Sequence, residues 1–384
     1  MRLVRAAVLA WALLAADFAP AAELVPLPSH PEARAWPTSE WPTGEPSAGV
    51  DGAKLASAVD ELFASIGRGG LPDTRALLVV QGGAIVFERY APGFGPASRF
   101  ESWSMAKSVT NALVAVLVRE GRLALDAPAE VPAWREASDP RASITLRQLL
   151  NMTSGLANAD GEGGDIADSF GADLLFGARS GDVATASAEV PLAHPPGDHW
   201  AYSTGTSMIV AGIVSRRAGG DPKSMLAFMR RELFAPIGMT SAVPEFDAAG
   251  TFMGGAFVHA SARDWARLGY LYLRDGVWDG KRILPEGWVD FSRTPAPAEN
   301  NTVYGAHFWL NGEPAEGQWP VLPGGPADAF AAEGSNAQIV DIVPSRDLVV
   351  VRLGDLQSTD WPVVKRSLGR LVTAFPPTAP GVAR

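Results

Sequence analysis

Residues 100–121 read FESWSMAKSVTNALVAVLVREG, the stretch with the strongest signals for the fold and chemistry of the chain. An almost unbroken apolar run follows Lys107 and stops before Gly121, which is typical of a buried helix with a glycine at its C-terminal end. Ser104 and Lys107 are three residues apart, so one helical turn places the amine within reach of the hydroxyl. We therefore expect the two side chains to meet at the start of this helix.

Lysine is rare in this chain: five of the 32 basic residues are lysines, and the other 27 are arginines. Where only a positive charge is needed, the sequence uses arginine. Arginine cannot release its proton in a protein, whereas a desolvated lysine can become a general base. None of the other four lysines has a serine three residues before it. The pair formed by Ser104 and Lys107 therefore indicates a serine nucleophile activated by lysine.

The surroundings of Lys107 decide whether it can act in this way. An unperturbed lysine has a pKa of about 10.4 and is almost wholly protonated at neutral pH. Apolar neighbours such as Val109, Ala112 and Leu113 predict a desolvated amine with a lowered pKa. At the helix start, the backbone N–H of Ser104 also points toward any developing oxyanion. The alternative is a surface helix whose lysine extends into solvent.

Composition narrows the class of protein. Of the 384 residues 47% are hydrophobic and 19% are charged, enough apolar sequence for a large core and too little charge for a disordered chain. A net charge of −10 without a basic cluster argues against nucleic acid and anionic membrane surfaces as partners. The chain has no cysteine, which excludes a thiol nucleophile and disulfides and disfavours a structural zinc site.

The chain divides into four predicted regions. Residues 1–21 combine early arginines, a short apolar run and a small-residue cleavage site, the pattern of a signal peptide. Residues 22–50 are predicted to form a Pro-rich arm pinned by its tryptophans. Residues 51–375 are expected to form one catalytic domain and residues 376–384 a disordered tail. We expect an exported protein, periplasmic or secreted, with no membrane segment after cleavage.

Two predicted hairpins frame the domain. ALLVVQGGAIVFERY (76–90) places two apolar runs around a Gly-Gly pair, and AQIVDIV and LVVVRLG (337–354) flank Pro-Ser-Arg-Asp. Between about 105 and 290 the pattern is mostly helical. These features predict an α+β fold, with one antiparallel sheet built from both chain ends, an inserted helical lobe and a cleft at their boundary.

Longer stretches of the chain resemble a known superfamily. WSMAKSVTNALVAVLVREGRL (103–123), ITLRQLLNMTSGL (144–156), PPGDHWAYSTGTSMIVAGIV (195–214) and FAAEGSNAQIVDIVPSRDLVVV (330–351) are similar to serine hydrolases of the class C β-lactamase and penicillin-binding-protein superfamily. The resemblance is closest to the branch of 6-aminohexanoate-dimer hydrolases and esterases. It implies a β-lactamase/transpeptidase-like fold and a serine-linked acyl-enzyme, with no cofactor.

The motifs of this superfamily imply roles for particular residues. The first motif falls on Ser104 as nucleophile and Lys107 as its base. The Tyr-x-Asn motif falls on Tyr202, which would pass a proton to the leaving group together with Lys107. Thr204 replaces the usual asparagine and keeps a hydrogen-bonding group without the amide.

The third motif, Lys-Thr-Gly or His-Thr-Gly, falls on Ala332, Glu333 and Gly334, so the cationic residue is missing. Gly334 would let the substrate approach the strand, and the N–H of Ser335 would join that of Ser104 in an oxyanion hole. In lactamases and peptidases the cation helps to bind a substrate carboxylate. Since Glu333 would add a negative charge instead, we expect the site to disfavour penicillins and peptide C-termini and to prefer neutral or amine-bearing amides or esters.

Other side chains are weaker candidates. Trp103 neighbours the nucleophile, and His259 is implied by the resemblance to line the substrate cleft. His194 and His199 lack a third ligand at a usual spacing, so we predict no metal site. The long loop at 157–197 holds two acidic residues that could meet a substrate amine, Asp165 and Asp168.

We therefore expect an exported serine hydrolase that cleaves an amide or ester bond of a small-molecule substrate. The nearest alternative has the same residues and acts on cell-wall-type amides as a β-lactamase or D,D-peptidase. A second alternative is a non-turnover penicillin-binding or sensor protein that is acylated without release. The sequence leaves the natural substrate and the oligomeric state open.

Overall fold

The computed structural model describes residues 24–64, 70, 72–136, 138–160, 169–298, 300–314, 320–356 and 360–378. The predicted signal peptide, residues 379–384 of the predicted tail, and Asp165 and Asp168 lie outside these ranges. Residues 376–378 follow the last helix, and the N–H of Thr378 donates to the carbonyl of Ser345 at 2.8 Å.

Six strands form the main sheet, in the order β2-β1-β11-β10-β9-β8, and neighbouring strands pair antiparallel. A second sheet has the order β3-β5-β4, and β6 pairs with β7. The strands are β1 (Thr74–Gln81), β2 (Ala84–Tyr90), β3 (Arg99–Glu101), β4 (Val243–Pro244), β5 (Val258–Ser261), β6 (Val277–Trp278), β7 (Lys281–Arg282), β8 (Trp309–Leu310), β9 (Phe330–Gly334), β10 (Gln338–Val343) and β11 (Leu348–Gly354). The main sheet is therefore built from both chain ends, as predicted.

Helices fill the middle of the chain and flank the sheet. They are α1 (Gly52–Ala64), α2 (Ala106–Arg119), α3 (Leu146–Leu150), α4 (Phe170–Phe176), α5 (Val183–Ala188), α6 (Thr204–Ala218), α7 (Pro222–Met229), α8 (Ala262–Leu273), α9 (Trp288–Ser292) and α10 (Trp361–Ala374). Short 3-10 helices lie at Trp103–Met105, Pro132–Trp134, Pro140–Ser143, Ser335–Ala337 and Pro344–Arg346. A short π-helix lies at Arg230–Phe234. No helix in the described ranges is long and apolar enough to cross a membrane.

Both faces of the main sheet are buried. In β1, Leu77 and Val79 face the core beneath α1 and α10, whereas Leu78 and Val80 face the larger core beneath α8. Because each face meets a helical layer, the strands are continuous apolar runs and do not alternate with polar residues. The described part of the chain thus has the predicted α+β architecture.

Both predicted hairpins are present. Gly82 and Gly83 join β1 to β2 with φ angles of 55° and 78°, a backbone conformation that favours glycine. Between β10 and β11 the 3-10 turn Pro344–Arg346 is closed by Asp347 at φ 51°. These two turns set the register of the central strands.

The helix predicted after Ser104 is almost wholly buried. Each residue of α2 from Ala106 to Leu117 lies in the interior, and α6 is buried from Thr204 to Ser215. Gly121, at φ 68°, follows the C-terminus of α2, as its position in the sequence predicts. The two buried helices pack together and carry the candidate site at their N-terminal ends.

The arm before α1 packs against α8. The indole of Trp41 is buried and donates to the carbonyl of Arg263 at 3.0 Å. The ring of Trp36 stacks on His30 with centroids 3.8 Å apart, and His30 Nδ1 lies 2.7 Å from the Tyr270 hydroxyl. These contacts hold the described residues of the arm in place.

Candidate active site

Ser104 lies in the 3-10 turn that leads directly into α2. The turn is fixed by Ser102, whose side chain is fully buried. The Ser102 hydroxyl donates to the carbonyl of Ala256 at 3.0 Å and accepts the N–H of Val258 at 2.9 Å. Trp103 adopts φ 46°, a left-handed conformation that bulky residues rarely take. The Ser104 turn is therefore tied to the start of β5 and carries local strain.

The end of β9 runs directly against this turn. A Cβ atom on Gly334 would overlap the carbonyl oxygen of Ser102 and would lie 2.9 Å from the backbone nitrogen of Ser104. Only glycine permits this approach. Ser335 follows at once, so the backbone that could supply two oxyanion donors is gathered at one place, as the resemblance implies.

Lys107 is 1% exposed, and its amine has three neighbours. Its Nζ lies 3.0 Å from Ser104 Oγ, 3.2 Å from Thr204 Oγ1 and 2.7 Å from the carbonyl oxygen of Gly255. A carbonyl only accepts, so one N–H must donate to Gly255. A neutral amine that gives its second N–H to Thr204 keeps its lone pair for the hydroxyl of Ser104. This geometry suits proton transfer from Ser104 to Lys107.

Burial lowers the pKa of Lys107 to about 8, against a smaller opposing effect of Asp160. A lysine with this pKa is neutral in roughly a tenth of molecules at pH 7. The apolar neighbours on α2 predicted a shift in this direction.

Two glycines bring the Gly255 carbonyl to Lys107. A Cβ atom on Gly255 would lie 3.1 Å from both Met208 Cε and the carbonyl oxygen of Thr204, and one on Gly254 would overlap the hydroxyl of Thr110. Glycine at both positions therefore lets residues 254–255 lie between α2 and α6. The role of the Gly255 carbonyl was not predicted, because a backbone acceptor leaves no side-chain signal in the sequence.

Tyr202 lies just before α6, in contact with both members of the Ser104–Lys107 pair. Its ring stacks on Trp309 with centroids 5.1 Å apart, and Lys107 Nζ lies 4.9 Å from the ring centroid. Burial raises the pKa of Tyr202, while a hydrogen bond with Ser104 acts in the opposite direction. The phenol therefore keeps its proton at neutral pH and can donate it. The structure thus brings Ser104, Lys107 and Tyr202 together.

Thr204 begins α6 and links the site to Asp160. Its hydroxyl accepts from Lys107, and its backbone N–H donates to Asp160 Oδ2 at 2.7 Å. Burial raises the pKa of Asp160, while Lys107 and Thr204 act in the opposite direction. The other oxygen, Oδ1, is shielded from solvent and has no hydrogen-bond partner in the described ranges. Sequence reasoning missed Asp160, a lone aspartate 44 residues before Thr204 with no motif around it.

Glu333 does not lie where the third motif predicted it. Ala332 and Gly334 face the side of β9 that lies against Ser104, so strand alternation turns Glu333 to the face covered by α10. There its carboxylate accepts from Lys365 Nζ at 3.0 Å, and both side chains are buried. Its charge reaches Tyr202 only as the smallest of the effects that raise that pKa. The predicted contact of Glu333 with substrate is therefore wrong.

The remaining candidates do not form one cluster, although Trp103 shares the 3-10 turn of Ser104. His259, on β5, is paired with Glu245 at 2.5 Å. His194 and His199 stack on each other with centroids 4.3 Å apart. Trp103 packs against Phe176 and Phe257. In the ranges that the structure describes, no three acidic, histidine or cysteine residues gather closely enough to hold a metal ion.

His307 contacts the backbone of Lys107 and was also not predicted from the sequence. Its Nδ1 lies 2.8 Å from the backbone carbonyl of Lys107, and the ring is buried. Burial lowers the pKa of His307 to about 3, helped by the charge of Lys107, so the ring stays neutral and can donate its Nδ1 proton to that carbonyl. No spacing in the sequence connects these two residues.

The chain belongs to the beta-lactamase family, whose profile matches residues 56–374. It is 25% identical over 295 residues to the 6-aminohexanoate-dimer hydrolase of Paenarthrobacter ureafaciens, a match that covers 75% of this chain and 73% of the relative. It is 32% identical over 220 residues to Esterase EstB of Burkholderia gladioli, covering 51% of this chain and 54% of the relative.

The fold is also that of solved structures. A penicillin-binding protein homolog from Caulobacter crescentus superposes with a TM-score of 0.62 at 20% identity, covering 87% of this chain and 99% of that one. The superfamily and the β-lactamase/transpeptidase-like fold expected from the sequence are thus confirmed.

Proposed function

We propose that this chain is a serine hydrolase that cleaves an amide or ester bond of a small molecule through an acyl-enzyme on Ser104. One observation carries the proposal: the buried amine of Lys107 lies 3.0 Å from Ser104 Oγ while Gly255 and Thr204 occupy its other hydrogen-bonding directions. Relatives named as a dimer hydrolase and an esterase support the same reaction class.

In the proposed acylation, neutral Lys107 takes the hydroxyl proton of Ser104 as Oγ attacks the substrate carbonyl. The negative charge that develops on the carbonyl oxygen is held by the N–H groups of Ser104 and Ser335. The bond to the leaving group then breaks, and the proton now on Lys107 reaches the departing nitrogen or oxygen through the Tyr202 phenol. The leaving group departs neutral, and the acyl group remains on Ser104.

Deacylation reverses these roles. A water molecule takes the place of the leaving group, gives its proton through Tyr202 to Lys107 and attacks the acyl carbonyl. When the tetrahedral intermediate collapses, Ser104 Oγ recovers its proton from Lys107 and the acid product leaves. Apart from the substrate and this water, each group in the scheme is a side chain or backbone group of the chain.

The proposed substrate carries no carboxylate beside the scissile bond. Ala332 stands where the superfamily has a cation, so a penicillin or a peptide C-terminus would meet no compensating charge there. This disfavours the β-lactamase and D,D-peptidase alternatives. Faster hydrolysis of nitrocefin than of a neutral p-nitrophenyl ester would reverse this choice.

Two measurements test the proposal that Ser104 is the nucleophile: covalent labelling by a fluorophosphonate and the rate of p-nitrophenyl ester hydrolysis. Ser104→Ala should abolish both, whereas Ser143→Ala, a serine on an exposed 3-10 turn, should leave both unchanged. Equal labelling of wild type and Ser104→Ala would place the nucleophile elsewhere. Labelling without ester turnover would favour the sensor alternative.

We also propose export, on the composition of residues 1–21 alone. Expression of the full chain with cell fractionation, followed by mass spectrometry of the mature N-terminus, tests it. Retention in the cytoplasm with an intact N-terminus would contradict this proposal without affecting the one for Ser104.

A further inference from the structure

Three aromatic rings beside Ser104 form a closed triangle. The ring centroids of Trp103 and Phe257 are 5.7 Å apart, and Phe176 lies 6.1 Å from each of them. Trp103 immediately precedes the nucleophile, and Phe257 follows the segment whose carbonyl holds Lys107. The triangle is therefore part of the same structural unit as the Ser104 turn.

Phe176 is the unusual member of this group. It is 66% exposed although it ends a helix, α4, whose Leu174 is fully buried. Phe257 is 6% exposed, so the triangle has one buried and one open corner. An exposed aromatic side chain that extends a buried ring cluster to the surface offers an apolar contact to a ligand.

A second aromatic group lies around Tyr202. Tyr202 contacts Trp309 and Tyr304, and Trp200 contacts the same two rings. Within the described ranges, no ring of this group contacts a ring of the triangle. Ser104 is thus in contact with Tyr202 of one group and is adjacent in the chain to Trp103 of the other.

The proposed reaction requires one binding region for the leaving group and another for the acyl group. A carbonyl whose oxygen is held by the N–H groups of Ser104 and Ser335 directs its two substituents apart. The leaving group must lie near Tyr202 to receive a proton, so the acyl group extends away from Tyr202. The triangle, which contacts no ring of the Tyr202 group in the described ranges, is the other aromatic surface next to Ser104.

We propose that Trp103, Phe176 and Phe257 form the acyl-binding surface of the enzyme, and that it takes an extended apolar acyl group, alkyl or aryl. This inference rests on the proposed function, because it assumes an acyl-enzyme on Ser104. Apolar contact with three rings removes both the acyl chain and the open face of Phe176 from water. Such an acyl group stabilises the bound state, whereas an acetyl group is too short to reach the open corner.

The experiment keeps the leaving group constant and varies the acyl chain. Wild type should hydrolyse p-nitrophenyl octanoate with a higher kcat/KM than p-nitrophenyl acetate. Phe176→Ala should lower kcat/KM for the octanoate roughly tenfold and that for the acetate less than about twofold. Phe176→Trp should retain the preference. Val363→Ala, which removes an exposed apolar side chain from α10, should change neither value.

Fluorophosphonates with an octyl or a methyl chain provide a second readout that requires no turnover. Faster labelling of Ser104 by the octyl probe, lost in Phe176→Ala, supports the acyl surface. Labelling of Ser104 that depends on neither chain length nor Phe176 overturns the surface and leaves the serine hydrolase intact. A loss of kcat/KM in Phe176→Ala that is equal for the octanoate and the acetate also overturns it. No labelling of Ser104 at all overturns the proposed function itself.

Discussion

Asp160 Oδ2 accepts the backbone N–H of Thr204 at 2.7 Å, so a carboxylate binds the same residue whose hydroxyl accepts from Lys107. Burial disfavours the ammonium form of Lys107, whereas the Asp160 charge favours it. The pKa of Lys107 therefore reflects a balance between the two effects.

The first prediction concerns the pH dependence of the rate. Because only the neutral amine can accept the proton of Ser104, kcat/KM should rise with pH and level off above the lowered pKa of Lys107, about 8. Lys107→Arg should be inactive at each pH, since arginine does not release its proton. The measurement is kcat/KM for a neutral ester between about pH 6 and 9. A flat profile across this range would exclude Lys107 as the base.

The second prediction concerns the effect of the Asp160 charge on the pKa of Lys107, as distinct from the effect of burial. Asp160→Asn keeps an oxygen that accepts the N–H of Thr204 but removes the charge that favours protonated Lys107. The ascending limb of the profile should therefore move to lower pH. Asp126→Asn, an exposed aspartate paired with Arg147, is the matched control and should leave the limb in place. A limb that stays in place in Asp160→Asn, or moves to higher pH, would show that Asp160 does not act on Lys107.

Much of the fold could be predicted because its signals are local. A Gly-Gly pair between two apolar runs predicts the first hairpin, and Gly121 marks the end of α2 from its position alone. The Ser104–Lys107 pair is likewise local, since one turn of helix brings the two side chains together. The apolar composition of α2 predicted both its burial and the direction of the Lys107 pKa shift.

The rest of the site depends on contacts between distant segments. Asp160, Gly255 and His307 are brought to Lys107 by the folding of distant segments. Their separations from Lys107 along the sequence match no motif. The face chosen by Glu333 depends on which side of β9 packs against Ser104. Strand alternation required Glu333 and Ala332 to face opposite sides, but the sequence did not show that α10 supplies a lysine to Glu333.

The third prediction tests the corrected position of Glu333. Lys365→Met should leave the buried carboxylate of Glu333 without its cation and lower the free energy of unfolding by about 3–5 kcal/mol. The double variant Lys365→Met with Glu333→Leu should recover most of this loss, because an apolar pair carries no desolvation cost. Urea unfolding measures both.

The kinetics of these variants distinguish the two positions of Glu333. Since Glu333 faces α10, the folded double variant should keep kcat/KM for a neutral ester within about twofold of wild type. A much larger change in kcat/KM without a change in stability would return Glu333 to the substrate cleft.

The fourth prediction concerns Asp341, which lies in the middle of β10 and is fully buried. Neither of its carboxylate oxygens has a hydrogen-bond partner among the residues described. Burial raises the pKa of Asp341 well above its ordinary value, Glu333 adds to the effect and Lys365 opposes it. In the folded protein, Asp341 therefore keeps a proton that the unfolded chain releases as pH rises above about 4.

The sign of the effect follows from this difference. The contribution of Asp341 to stability is fullest below the unfolded pKa and falls as pH rises toward the folded pKa. Asp341→Asn removes that pH dependence, so it should stabilise the protein more at pH 7 than at pH 4, by at least about 1.4 kcal/mol for one unit of pKa difference. Urea unfolding at both pH values, with the exposed Asp60→Asn as control, makes the comparison. An equal change in unfolding free energy at the two pH values would mean that Asp341 is ionised in the folded protein, and a partner for its charge would then have to be sought beside Lys365.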